Sequence, residues 1–124
     1  MNSDKPKIVE GDEANFAAEV LQWKRPVLVA FFAPWSRPCQ VIRSVVDEAA
    51  AACAGRVKFV SINVDDHPDF GVWYDIQSIP TLLCFVNGAV CARMIGTVSK
   101  EAVLAKLAPF VTPGSKRESG PPPA

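Results

Sequence analysis

The 124-residue sequence has a single histidine, a single tyrosine, no surplus of either charge and no apolar run long enough to cross a bilayer. Thirteen Lys and Arg residues balance thirteen Asp and Glu, with no block of one sign, so the long-range field that gathers nucleic acid or anionic lipid is missing. Neither nucleic acid nor a membrane is expected as a partner, which leaves a protein or a small thiol. The stretch from Val27 to Ala33 stops at Pro34 and that from Leu82 to Val86 at Asn87-Gly88, far short of the roughly 20 apolar residues of a spanning helix. Residues Met1 to Glu10 carry Asp4, Lys5 and Lys7 and lack the apolar core of a signal peptide. A soluble, cytoplasmic protein is the expectation.

Close metal-binding pairs are lacking too. Cys39, Cys53, Cys84 and Cys91 include no C-x-x-C step, and His67 sits alone in an acidic loop, so no metal and no cofactor are expected. Without a secretory signal, the four cysteines read as reduced thiols rather than a disulfide framework.

What is present suffices for one compact domain of about 100 to 150 residues. Lys7 to Val9 reads as a short strand, and Gly11-Asp12 as the cap of a helix over Glu13 to Trp23, with Phe16, Val20 and Trp23 on one face. Val27 to Ala33 is apolar at every position, as in a central strand covered on both faces. From Ser36, a natural N-cap, Ile42, Val45, Val46, Ala49 and Cys53 keep a helical stripe up to Gly55, with Pro38 tolerated in the first turn. Val57 to Val64 alternates as a strand, and His67 to Tyr74 reads as a short helix or turn. Thr81 to Val86 and Ala89 to Ile95 should pair antiparallel across Asn87-Gly88. Ser99 caps a last helix whose apolar face is Val103, Leu104, Leu107 and Phe110. The order is βαβαβαββα, an α/β fold with a central mixed sheet flanked by helices, over residues 1–111. Residues 112–124, rich in Pro and Gly, read as a disordered tail.

The segment Val29-Ala-Phe-Phe-Ala-Pro-Trp-Ser-Arg-Pro-Cys39, together with Asn63-Val-Asp65, Ile79-Pro80-Thr81, Asn87-Gly88 and Gly96, closely resembles the thioredoxin family, whose corresponding strand ends in Trp-Cys-Gly-Pro-Cys. The resemblance runs from about Ile8 to Phe110. It implies the thioredoxin fold, a cis-proline at Pro80 and thiol–disulfide chemistry. That chemistry needs a thiolate at a helix N-terminus, where unpaired N–H groups and the helix dipole favour the anion. The first sulfur attacks a disulfide, and a second thiol one turn inward resolves the mixed disulfide.

Here Cys39 matches the second position and Ser36 the first. A hydroxyl is almost wholly protonated at neutral pH without an adjacent base, and no base is in view. The family's buried aspartate aligns with Ala30, its neighbouring lysine with Ser61, and its helix-kinking proline with Ser44; a straighter helix is therefore expected. The resemblance thus implies a disulfide oxidoreductase whose dithiol turnover the missing thiol removes. Cys39 and Ser36 are the candidate chemical residues. Trp35, Arg37, Pro38, Ile79, Pro80, Thr81 and Gly96 match the positions that accept an extended peptide, with cysteine-containing proteins or glutathione as partners and a monomer as the working state.

Three readings stay open: an exchange protein with one motif thiol, a non-catalytic chaperone-like module that holds cysteine-containing or unfolded clients, and an ordinary thioredoxin with its first cysteine changed to serine. Ala30 and Ser61 argue for natural divergence over the last. A glutathione transferase would need a helical domain for which the chain is too short. Elsewhere, Cys53 reads as core filler. A regular two-residue hairpin sets Cys84 opposite Cys91 on one face, within disulfide range, although a reduced packed pair is the reading for a cytoplasmic chain.

Overall fold

The computed structural model describes residues 8–53 and 55–111. The expected N-terminal strand residue Lys7 and the expected disordered tail at 112–124 lie outside the described residues. Five strands, β1 (Ile8–Glu10), β2 (Val27–Phe32), β3 (Lys58–Asn63), β4 (Thr81–Val86) and β5 (Ala89–Ile95), form one sheet in the order β1-β3-β2-β4-β5. The pairs β1–β3 and β2–β3 are parallel, while β2–β4 and β4–β5 are antiparallel. Helices α1 (Arg37–Cys53), α2 (Asp69–Trp73) and α3 (Lys100–Leu107, continued as a 3-10 turn Ala108–Phe110) complete the expected element order.

Strand β2 is central because its side chains suit burial on both faces. Leu28 and Ala30 point into one core with Ile42, Val46 and Ala49 of α1, Leu82 of β4 and Val103 and Leu107 of α3. Val27, Val29 and Phe31 point into the other, with Phe16, Val60, Phe70, Leu83 and Phe85. The second core is aromatic: Phe16 lies 4.9 Å from Phe70 and 5.7 Å from Phe85 between ring centroids. Each fully buried phenylalanine contributes about 1.5–3 kcal/mol. The stripe of α1 is as expected, with Cys39, Ile42, Val46, Ala49, Ala50 and Cys53 buried, and the helix runs unbroken past Ser44.

The first helix differs from the expected Glu13–Trp23 span. Asp12 caps the turn that leads into it, the Asn15 amide donating to Asp12 Oδ1 and the Asp12 amide to Asn15 Oδ1, both at 2.8 Å, while the helix itself starts after Phe16 with no side-chain cap. The following turn, Ala17–Leu21, is π-helical, with Gln22 N–H donating to the Ala17 carbonyl. The wider turn leaves Phe16 and Val20 in the core but carries Trp23 off their face. Trp23 is instead half-exposed, its ring 3.4 Å from Lys58 Nζ, and Lys58 pairs with Glu19.

The β4–β5 hairpin departs from regular pairing. Asn87 and Gly88 both have positive φ, +54° and +83°, as a two-residue primed turn requires. Val86 faces Ala89 and Phe85 faces Val90, but Cys84 then faces Ala92, with Cys91 the extra residue of a bulge. The expected Cys84–Cys91 opposition is therefore not formed. The reason lies three residues on: unbroken pairing would set Arg93 beside Leu82 in the core, whereas the bulge sets Met94 there and lets Arg93 donate to the Tyr74 carbonyl. Cys84 is buried and Cys91 exposed, both as free thiols.

Gly88 is held by more than its dihedral angle. A Cβ there would lie 3.1 Å from the Leu21 carbonyl oxygen, whereas at Gly55, φ +86°, it would meet nothing within 4 Å. Gly55→Ala is expected to cost about 1–2 kcal/mol for the left-handed backbone alone, and Gly88→Ala more than Gly55→Ala. Urea unfolding of the two variants checks the order, and equal losses would show that the Leu21 contact is immaterial.

Candidate functional site

Chain order and register bring the candidate residues to one end of the sheet. Phe31 pairs with Thr81 across β2–β4, and Phe32 with Asn63 across β2–β3. The loop leaving β2, the segment entering β4 and the loop leaving β3 therefore lie side by side. At the first, Ser36 N–H donates to the Ala33 carbonyl and Gln40 N–H to the Ser36 carbonyl, both at 3.1 Å, which starts α1. Ser36 Oγ accepts a long 3.4 Å bond from the Cys39 amide. The hydroxyl thus caps the helix, satisfying one of the donors left free at its start.

Burial separates the members of this loop. Cys39 is 1% exposed and Ser36 5%, while Trp35 is 70% exposed; Arg37 and Pro38 are exposed as well. Trp35 is nevertheless anchored, because its indole Nε1 donates to Asp65 Oδ2 at 2.7 Å. Asp65 is held in turn by a loop in which its amide, and that of Asp66, donate to Asn63 Oδ1. The sequence contains Asn63-Val-Asp65, but nothing in it names the tryptophan as the partner of that aspartate; the β2–β3 parallel register supplies the link.

At the second segment the Ile79–Pro80 peptide bond is cis. Pro80 and Thr81 are buried and Ile79 is half-buried. Thr81 Oγ1 donates to the Ser78 carbonyl at 2.7 Å, and the Gly96 amide donates to the Pro80 carbonyl at 2.8 Å. Gly96 thus ties the end of β5 to the entry of β4.

Ala30 and Ser61 are direct neighbours across β2–β3. Both line a cavity of about 250 Å³, closed by Ile42 and Val46 and rimmed by Glu10, Arg43 and Asp47. The positions at which the resemblance leads one to look for a carboxylate and a lysine thus border open space between the sheet and α1. The rim charges come from β1 and α1, elements with no motif to draw attention to them. Of the other cysteines, Cys53 is buried at the end of α1, and desolvation pushes its thiol up against a smaller opposing pull from Arg56. Burial and the neighbouring Cys91 thiol both push Cys84 strongly upward.

The family model described as Thioredoxin matches residues 7–109, and the chain belongs to the thioredoxin family. Among curated relatives, "Thioredoxin" of Pyropia yezoensis is 40% identical over 100 residues, covering 81% of this chain and 94% of that protein. "Thioredoxin" of Synechocystis sp. (strain ATCC 27184 / PCC 6803 / Kazusa) is 38% identical over 99 residues, 80% and 92% of the two chains. "Thioredoxin M5, chloroplastic" of Oryza sativa subsp. japonica is 40% identical over 106 residues, covering 86% of this chain, which spans only 62% of the rice protein's length. With these relatives the chain falls among proteins of thiol–disulfide exchange.

The geometry makes two stability claims. Ser36→Ala should cost about 0.5–1 kcal/mol, the lower part of the range for a lost cap, because the bond is long. Ala30→Asp places a carboxyl at the cavity, where desolvation raises its folded-state pKa above the unfolded value of about 3.9. Its penalty should be small below about pH 4 and grow as pH rises through the raised pKa, because only the unfolded chain ionises freely there. Unfolding of Ala30→Asp from pH 3 to 8 measures this, and a pH-independent difference from the parent would show that the carboxyl reaches solvent.

Proposed function

We propose that this protein takes part in thiol–disulfide exchange and redox homeostasis with one motif thiol, Cys39, and without dithiol turnover at the motif. The observation that carries the reading is the pair Ser36 and Cys39: a capping hydroxyl stands where the family's attacking thiol belongs, and Cys39, whose amide it accepts from, is the one motif thiol left. Clients are cysteine-containing proteins or glutathione, received by Trp35, Arg37, Pro38, Ile79, Pro80, Thr81 and Gly96. In this reading the Cys39 thiolate attacks one sulfur of a client disulfide, the other sulfur leaves as a thiolate, and a mixed disulfide remains. An external thiol must then attack the client sulfur to free Cys39, since Ser36 has no sulfur to do so. The chain works as a monomer in a reducing, cytoplasmic setting. No helix among the described residues is long and apolar enough to cross a membrane.

The burial of Cys39 favours a second reading, a non-catalytic chaperone-like module that binds cysteine-containing or unfolded chains through the same residues. An ordinary thioredoxin altered at Ser36 is disfavoured by Ala30 and Ser61, which such a change would leave as the family's aspartate and lysine. Mass mapping after exposure to oxidised glutathione separates the first two. The exchange reading expects an adduct on Cys39, slow because the first turn of α1 must open, and absent in Cys39→Ser. Client binding that persists in Cys39→Ser, with no adduct on Cys39 in the parent, supports the binding module and overturns the first reading.

Restoring the sulfur tests the chemistry itself. Ser36→Cys should form a disulfide with Cys39 and regain part of the disulfide-reduction rate. Adding Ala30→Asp should raise that rate further, by up to the roughly 100- to 10,000-fold typical of a general acid–base group. Full family activity in Ser36→Cys alone would make Ala30 irrelevant and favour the altered-thioredoxin reading.

A further inference from the structure

Two of the four cysteines lie outside the motif yet close to each other. The bulge in β5 makes Cys91 the unpaired residue beside the Cys84–Ala92 pair, and Cys91 Sγ contacts the Cys84 carbonyl oxygen at 3.3 Å. The two thiols have opposite surroundings: Cys84 is 0% exposed, in the core with Leu82, Met94 and Val103, whereas Cys91 faces solvent. Strand β5 is the sheet edge, paired on one side only. Its backbone at the bulge can therefore shift to bring the two sulfurs together without breaking a second ladder. Cys91 is not directly opposite Cys84, yet as the extra residue beside the Cys84–Ala92 pair it already has its sulfur against the Cys84 main chain.

We propose that Cys91 and Cys84 form a second redox site, a dithiol on the β4–β5 hairpin that is oxidised by low-molecular-weight disulfides to an intramolecular bond. The exposed Cys91 thiolate attacks one sulfur of the disulfide RSSR, giving Cys91–S–SR and releasing RS⁻. The Cys84 thiol then gives up its proton as its sulfur attacks Cys91 Sγ and expels the second RS⁻. Two RSH are formed, RSSR is reduced by two electrons, and the protein dithiol is oxidised by two. The division of labour follows from access: the outer sulfur meets the oxidant, and the inner one, which burial and its neighbour keep protonated, acts only once a mixed disulfide sits beside it. The pair stands three residues along β4 from Thr81, about 10 Å at strand spacing, so it neither overlaps nor replaces the Ser36–Cys39 motif. The proposal does not depend on the reading of that motif.

The experiment uses the full chain in a Cys39→Ser background, with oxidised glutathione as the probe and peptide mapping as the readout. The expected product is a Cys84–Cys91 disulfide, with glutathione on Cys91 seen only transiently. Cys84→Ala, which keeps the position apolar and small, should instead accumulate the Cys91–glutathione adduct. Cys91→Ser should leave Cys84 unmodified. Before oxidation, alkylation should be more than about tenfold faster at Cys91 than at Cys84, following exposure. A stable glutathione adduct on Cys91 with Cys84 still reduced, or modification of Cys84 in Cys91→Ser at the parent's rate, would overturn the proposal. Either result would leave the reading of Cys39 untouched.

Discussion

Strand β2, five of whose six residues are buried, can be stable only between two cores and between two partner strands. From that constraint the rest follows. Helices α1 and α3 cover one face and the π-helical turn and α2 the other. The parallel register to β3 and the antiparallel register to β4 then fix which loops meet at the strand's end. Trp35 reaches Asp65 and the β4 entry lies beside the motif because β2 stops where Asn63 and Thr81 sit alongside it. A chain that lost the packing around Phe31 would lose the site with it.

Within that frame the chemical features of the site form a consistent set. Ser36 serves as a cap, Cys39 is sealed under the first turn, and Ala30 and Ser61 border a cavity instead of carrying charge. A buried carboxylate is costly unless its charge is compensated. Its absence relieves the sheet of a destabilising group that only proton transfer to a motif thiol would justify. In the proposed reading, the hydroxyl at Ser36 and the uncharged pair Ala30 and Ser61 therefore belong together.

Much of this was legible in the residues themselves. Continuous burial marked β2, Asn87-Gly88 marked the hairpin, and Ser36 and Ser99 marked helix starts that the hydrogen bonds match. The misreadings have local causes. The 3.6-residue period does not hold across Glu13–Trp23, because the turn at Ala17–Leu21 is wider and Trp23 is drawn instead to the Lys58 ammonium. Regular pairing of the hairpin conflicts with Arg93, which unbroken alternation would bury beside Leu82, and the bulge is the remedy. The Trp35–Asp65 bond and the cavity rim of Glu10, Arg43 and Asp47 were invisible because they depend on which strands become neighbours across 30 or more residues, a fact that local pattern does not carry.

Steady-state disulfide reduction, with thioredoxin reductase as electron donor, tests most directly whether the motif has lost dithiol chemistry. Run on the parent chain and on Cys91→Ser, which removes the hairpin dithiol, it should show no multiple turnover from the motif in either protein. Turnover in Cys91→Ser at the rate of an ordinary thioredoxin would contradict the account, because Cys39 would then be finding a second sulfur that the geometry around Ser36 does not provide.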